Sequence, residues 1–140
     1  MEVNFKIKNL IKVIYNGNEI DLHNCYYFSN IEFEIDEKNI IIPFFRYKDI
    51  QGTPNSPYDK LIFKAHNYSF FENNISELEE LDEAEGISEI TFFPSDDRDN
   101  LFSLIDQEGP KLNDDLKIVF LSGRVILLAA ERVLLTTENY

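Results

Sequence analysis

The feature that most limits what this chain can become is its period-two alternation of apolar and polar residues, broken repeatedly by tight-turn signals. Successive side chains of a strand point to opposite faces, so alternation marks a half-buried β-strand. The segment IKVIYNGNEIDL shows it best. Asn16-Gly17 divides two alternating runs, and both residue types accept the positive φ that a two-residue primed turn demands. Such a loop sets Val13 opposite Ile20 and Ile11 opposite Leu22, with Lys12 opposite Asp21 on the other face, so each face is consistent in character. Asn4–Lys8 alternates in the same way.

Further along, Asn30–Asp36 places Ile31, Phe33 and Ile35 on one face and Glu32, Glu34 and Asp36 on the other. After a turn at Asp36-Glu37-Lys38-Asn39, the run Ile40–Ile42 with Phe44 predicts a strand covered on both faces. Pro43 lacks an amide donor and predicts an edge position or a bulge there. Asp49–Asp59 reads as the longest loop, because Gly52, Pro54 and Pro57 interrupt regular structure. Loops of that length often carry function, although a plain strand connection is the commoner use. Lys60–Phe71 resumes as a strand, with a bulge expected near His66 or Asn67. Ile87–Phe93 is a strand closed by Pro94. LKIVFLSGRVILL folds back at Ser122-Gly123, which sets Phe120 opposite Val125 and Ile118 opposite Leu127. VLLTT is a further run beyond Glu131-Arg132.

Two segments are ambiguous. Ile75, Leu78, Leu81 and Ala84 recur every three residues, with Asn74 or Ser76 as N-cap and Gly86 as C-terminal cap, which favours a short helix over about 75–85. An irregular acidic strand is the alternative. Ser95-Asp96-Asp97 has helix N-terminal chemistry, and Leu101, Leu104 and Ile105 follow at helical spacing, yet LFSLID also fits a strand. Many short strands, short connections and at most one or two short helices predict a single mainly β domain over residues 1–140. The expected form is an antiparallel β-sandwich or partly open barrel, with an α+β fold as the alternative. At 44% hydrophobic residues, the 140-residue chain can supply the core.

Charge is the second constraint. The chain carries 26 acids against 13 bases, a formal −13. Glu72–Asp99 holds eleven carboxylates and one base, Arg98, and so accounts for ten of those thirteen charges. Phosphate neutralisation needs clustered Lys and Arg, and the one mildly basic group, Lys6, Lys8 and Lys12, is small; direct nucleic-acid binding is disfavoured. Alternating Lys and apolar residues at the N-terminus give no signal-peptide core. The longest apolar run, Val125–Ala130, is far short of a membrane span. A single Cys25 excludes an intrachain disulfide and suits a reducing, cytoplasmic compartment.

Catalytic motifs are absent. His23 and Cys25 would share one strand face, but nothing in that spacing enforces the contact that activates a thiol, and Cys25 beside Tyr26, Tyr27 and Phe28 reads as core. Two His and one Cys do not make a zinc pattern. DDRDN starts like a calcium loop from Asp97, but Phe102 stands where the turn needs Gly, and only Glu108 fits the last ligand position. No catalytic residue, cofactor or metal ligand is assigned.

The candidate site is therefore a partner-binding surface: Glu77, Glu79, Glu80, Asp82 and Glu83 with Asp96, Asp97 and Asp99. Carboxylates held on a folded scaffold speed encounter with a cationic protein and select against acidic competitors. The bland alternative is a solvated face that keeps the protein soluble. In the acid-rich middle, in NIEFEIDEKNIIIPFFR and in KIVFLSGRVILLAAERVLL, the chain resembles the immunity proteins of bacterial toxin–immunity systems. That resemblance implies a small acidic cytoplasmic protein without cofactors that binds a cognate toxin, often a nuclease with a basic cleft. The other expectations are an accessory subunit that binds through a strand edge, and a small-ligand enzyme inside a β-barrel.

Overall fold

Among residues 1–48, 56–75 and 85–140, which the computed structural model describes, the alternation resolves into eleven strands, one helical turn and one 3-10 turn. The strands are β1 (Glu2–Val3), β2 (Lys6–Lys8), β3 (Lys12–Tyr15), β4 (Asn18–Asp21), β5 (Tyr26–Phe28) and β6 (Glu32–Glu34), followed by β7 (Asn39–Arg46), β8 (Lys60–Asn74), β9 (Glu85–Pro94), β10 (Asp114–Phe120) and β11 (Val125–Glu138). The helical turn α1 is Leu22–Cys25, and the 3-10 turn is Ser95–Asp97.

Six strands close on themselves in the order β5-β7-β8-β11-β10-β9, with β9 pairing back onto β5. Every pairing in the ring is antiparallel. The expected sandwich or open barrel is thus a closed barrel, and closure removes most of the unpaired strand edges that an open sheet exposes. Two strands hang on the ring: β1 runs parallel to β11, and β6 adds antiparallel to β7. β2-β3-β4 forms a separate meander.

Inside, Phe28, Phe44, Phe63, Phe92, Ile118 and Ile126 are fully or almost fully buried. The meander joins this core: Phe5 meets Phe63 edge-on at 5.2 Å and stacks on Phe92 at 6.0 Å. Burying an aromatic or aliphatic side chain of this size is worth roughly 1.5–3 kcal/mol relative to exposure, so the meander is held by its apolar face. Backbone bonds from Ile7 N–H to Glu108 O (2.9 Å) and from Ile90 N–H to Leu10 O (2.7 Å) pin it in place.

The Asn16-Gly17 hairpin has the expected register, Val13 with Ile20 and Lys12 with Asp21. Asn16 and Gly17 take φ values of 50° and 76°. Leu22 N–H still bonds Ile11 O at 3.0 Å, but the strand stops there. The Asp21 carboxylate caps the Asn24 amide at 3.0 Å and starts α1, so His23 and Cys25 lie on a helical turn rather than on one strand face.

Other differences have equally local causes. β7 is no edge, since β8 lines one side and β6 and β5 share the other. Pro43 falls between Ile41, the last partner of β6, and Phe44, the first partner of β5, where a missing amide interrupts neither ladder. In β8, Asn67 has φ 52°, and the register with β11 shifts between Tyr68 and Phe70, two residues beyond the expected bulge. The β10–β11 loop has three residues, not two. Phe120 and Arg124 bond across it, and Gly123 takes φ 90°, the left-handed position such a loop needs. The register is therefore Val119 with Val125, Ile118 with Ile126 and Lys117 with Leu127. VLLTT is the second half of one fourteen-residue strand, β11.

Residues 96–107 form neither the helix nor the strand expected as alternatives. Beyond the 3-10 turn, residues 98–113 run as an irregular strap over the outer faces of β9, β10 and β11. The proposed helix over 75–85 falls mostly outside the described residues: Ile75 follows β8, and Glu85 already belongs to β9. The first part of the Asp49–Asp59 loop lies outside them as well.

Candidate partner-binding surface

Asp96 and Asp97 sit in the 3-10 turn and Asp99 just after it, and all three are exposed. Pro94, immediately before them, pairs with Asp114 at the far end of β9 from Glu85. At about 3.3 Å per residue, the two ends of that ten-residue strand are about 30 Å apart. Glu77, Glu79, Glu80, Asp82 and Glu83 lie outside the described residues. The residues that flank them, Ile75 and Glu85, belong to the Glu85 end. Asn74 pairs with Val125 there, and Arg124 bonds Glu85, so both flank the Leu121–Gly123 loop.

The one base of the acidic stretch is withdrawn from the surface. Arg98 donates from Nε and Nη2 to the two oxygens of Asp115, each at 2.8 Å, while its guanidinium lies 3.5 Å from the centre of the Phe70 ring. Asp115 is 1% exposed. A bidentate pair of this kind is among the stronger polar contacts, and it holds the guanidinium pKa above its usual value. Asp96, Asp97 and Asp99 enter no ion pair among the described residues.

Lys117 explains why the strap lacks regular structure. It is fully buried on β10, and its ammonium donates to the carbonyls of Asn100 and Ser103, both at 3.0 Å. The same ammonium lies 3.5 Å from the centre of the Phe93 ring. Thr91 donates its hydroxyl to Ile105 O at 2.5 Å. Carbonyls that a helix would pair with amides four residues on are thus taken by side chains of the barrel wall. Leu101 and Leu104 pack on Val119, Val125 and Leu127 without helical geometry. Burial pushes the Lys117 pKa down, with Asp97 and Asp115 opposing the shift.

The Glu85 end has its own polar set. Arg124 Nη2 stands 3.1 Å from Glu85 Oε1, and Ser122 donates to Glu85 Oε2 at 3.1 Å. Both charged residues are buried, so the pair closes this end of the barrel with little charge showing. Elsewhere, Arg46 donates to Ser56 O at 2.7 Å and pairs with Asp59, and Tyr26 bonds Ser56 and Tyr58 O. These contacts tie the described end of the long loop to the barrel. Burial pushes the Tyr26 hydroxyl up to about 12 despite the Ser56 hydrogen bond.

No catalytic grouping emerges among the described residues. Cys25 is buried, and desolvation raises its thiol pKa, the opposite of what an activated nucleophile needs. His23 Nδ1 is engaged with Ile87 O at 2.7 Å. Among the described residues no group of three or more His, Cys, Asp or Glu side chains is placed to hold a metal ion, and no helix is long and apolar enough to cross a membrane.

The sequence reading missed the exposed apolar residues. Phe102 (67% exposed) stands on the strap close to the three aspartates, and Phe33 and Ile35 stand on and beside β6. Alternation alone cannot separate a residue that faces the core from one on the same strand face beyond the core's reach. Comparison of the chain with known protein families, with curated proteins and with solved structures found no match in any of the three.

Proposed function

We propose that this is a binding protein that neutralises a basic protein partner, as an immunity protein neutralises a toxin, by laying carboxylates held on a rigid barrel against the partner's cationic surface. A nuclease cleft built for phosphate is the kind of surface these carboxylates would fill. The observation that supports the reading most is the division of charge in the Asp96–Asp99 segment. Arg98 is turned inward onto Asp115 and Phe70, while its three acidic neighbours are exposed and enter no ion pair among the described residues. A segment meant only to be soluble has no need to commit its one base to an internal carboxylate. Neutralising it internally sharpens the outward negative potential, which raises encounter rates with cations and is screened over about 8 Å at physiological salt.

The test uses the tagged full chain as bait in lysate of its own source cells, at low and high salt, beside two amide variants. One carries Glu77→Gln, Glu79→Gln, Glu80→Gln, Asp82→Asn and Glu83→Gln; the other carries Asp96→Asn, Asp97→Asn and Asp99→Asn. The expected result is a basic protein retained at low salt, weakened at high salt and lost with at least one variant. Capture that neither salt nor either variant alters sinks the electrostatic reading. A strand-edge contact is the second reading, and the geometry of β6 favours it as the apolar part of the same encounter.

A further inference from the structure

β6 joins the barrel through β7 alone, and its other edge pairs with no strand among the described residues. Phe33 pairs with the fully buried Ile40 and therefore lies on the inner face of the sheet, yet it is 48% exposed, because β6 hangs outside the closed ring. It meets Phe71 edge-on at 5.4 Å, and Ile35 beside it is 80% exposed. Glu32, Asp36 and Glu37, all exposed, flank the patch in the sequence. Glu34 is offset by Lys64 at 3.0 Å, which together with Asn39 holds its carboxyl below the usual value. An apolar strip bounded by an open edge and by acids has the form of a strand-addition site.

We infer that the β6 edge receives an extended segment of the partner in which Lys or Arg alternates with apolar residues, added as an antiparallel strand with its apolar side chains on Phe33, Ile35 and Phe71. The inference rests on the basic-partner reading and names where its apolar contact falls. Charge decides the occupant. A second copy of this chain is disfavoured, because any antiparallel register that keeps the two Phe33 faces together sets acid against acid. Centred on Phe33, that register opposes Glu32 to Glu34; shifted by two, it opposes Glu34 to Glu34 or Glu32 to Glu32. A basic strand reverses the sign at each of these positions, and the main-chain ladder supplies affinity that charge alone does not.

The experiment titrates the isotope-labelled full chain with a synthetic nonapeptide of alternating Lys and Val, followed by amide NMR, beside an alternating Glu and Val peptide. Expected are saturable shifts concentrated at Ile31–Glu37, weak or no binding of the acidic peptide, and at least about tenfold weaker binding in Phe33→Ser and in Ile35→Ser. Ile35 is so exposed that its variant keeps the fold even where Phe33→Ser does not. Shifts spread over the acidic surface with β6 unaffected, or affinity unchanged in the Ile35 variant, overturn the inference. So does sedimentation that shows a dimer abolished by Ile35→Ser, which makes a second copy the occupant. A natural partner that stays salt-sensitive in the lysate assay but ignores both serine variants removes the edge contact and leaves the basic-partner reading standing. Peptide binding at β6 with no basic protein captured does the reverse.

Discussion

β10 and β6 belong to the same hydrogen-bonded sheet, but they meet opposite fates. All seven residues of β10 are buried, its inner face by the barrel core and its outer face by the strap. β6 has a half-exposed Phe33 and no such cover among the described residues. The difference does not come from hydrophobicity alone, since the charged Asp115 and Lys117 of β10 are buried. It comes from what fixes the cover: Lys117 and Asp115, two charged residues of β10, hold the strap by its carbonyls and by Arg98. A buried charge is costly unless it is paired or hydrogen-bonded, and here those bonds fix an irregular segment in one position. An apolar face without that anchorage stays open to other chains.

The largest way to break the comparison is Lys117→Ala. It removes the ammonium from the carbonyls of Asn100 and Ser103, leaving Asn100 O only the Ser103 amide at 3.2 Å, and opens a cavity beneath the strap, at a cost of about 3–4 kcal/mol in urea unfolding. The companion Lys117→Met keeps the volume and removes the charge. Replacing buried ions by apolar residues of similar size is often neutral or better, so a loss under about 1.5 kcal/mol is expected. Fast hydrogen exchange at strap amides should nevertheless show that the position of the strap has been lost. A strap as protected as in the parent would mean that Leu101 and Leu104 fix it instead.

Leu104→Ala is intermediate. The side chain is half-buried against Val119, Val125 and Leu127, and about 1–2 kcal/mol is expected. A loss as large as that of Lys117→Ala would show that apolar cover, not the ammonium, dominates.

The smallest effect is one of pH. Burial depresses the folded-state pKa of Lys117 below its ordinary 10.5, so between the two values the unfolded chain binds more protons. Stability contributed by this group therefore rises with pH between the depressed value and 10.5 and is flat below the depressed value, where both states hold the proton. Tyr26 works the other way above about pH 10, since its raised pKa makes the folded state retain a proton. The test is the difference between parent and Lys117→Met, which shares Tyr26. The parent should gain on the variant as pH rises towards 10.5, and a difference flat with pH refutes a titrating Lys117.

Much of the local structure was legible because it depends on neighbours in the chain. Asn16-Gly17 dictates its turn, and the alternation on either side dictates the register. The length of the Leu121–Gly123 loop was not legible, because Ser122-Gly123 fits a two-residue or a three-residue loop. The Asp21 cap was overlooked in a segment that otherwise alternates like a strand. As for the candidate surface, composition marked Asp96, Asp97 and Asp99. It could not tell that Arg98 among them faces inward, since its partners Asp115 and Phe70 are distant in sequence.

By itself, then, the sequence determined a β-rich single chain, its tightest hairpin and a strongly one-sided distribution of charge, all set by side-chain periodicity, turn chemistry and composition. Only the tertiary structure decided that β5 and β9 meet to close the barrel, and that Leu101–Ile105 is a strap rather than a helix. It also decided that Phe33 and Ile35 stand exposed beyond the core's reach. Each of those outcomes depends on which distant edge, ammonium or ring reaches a segment first, and no local pattern encodes that competition.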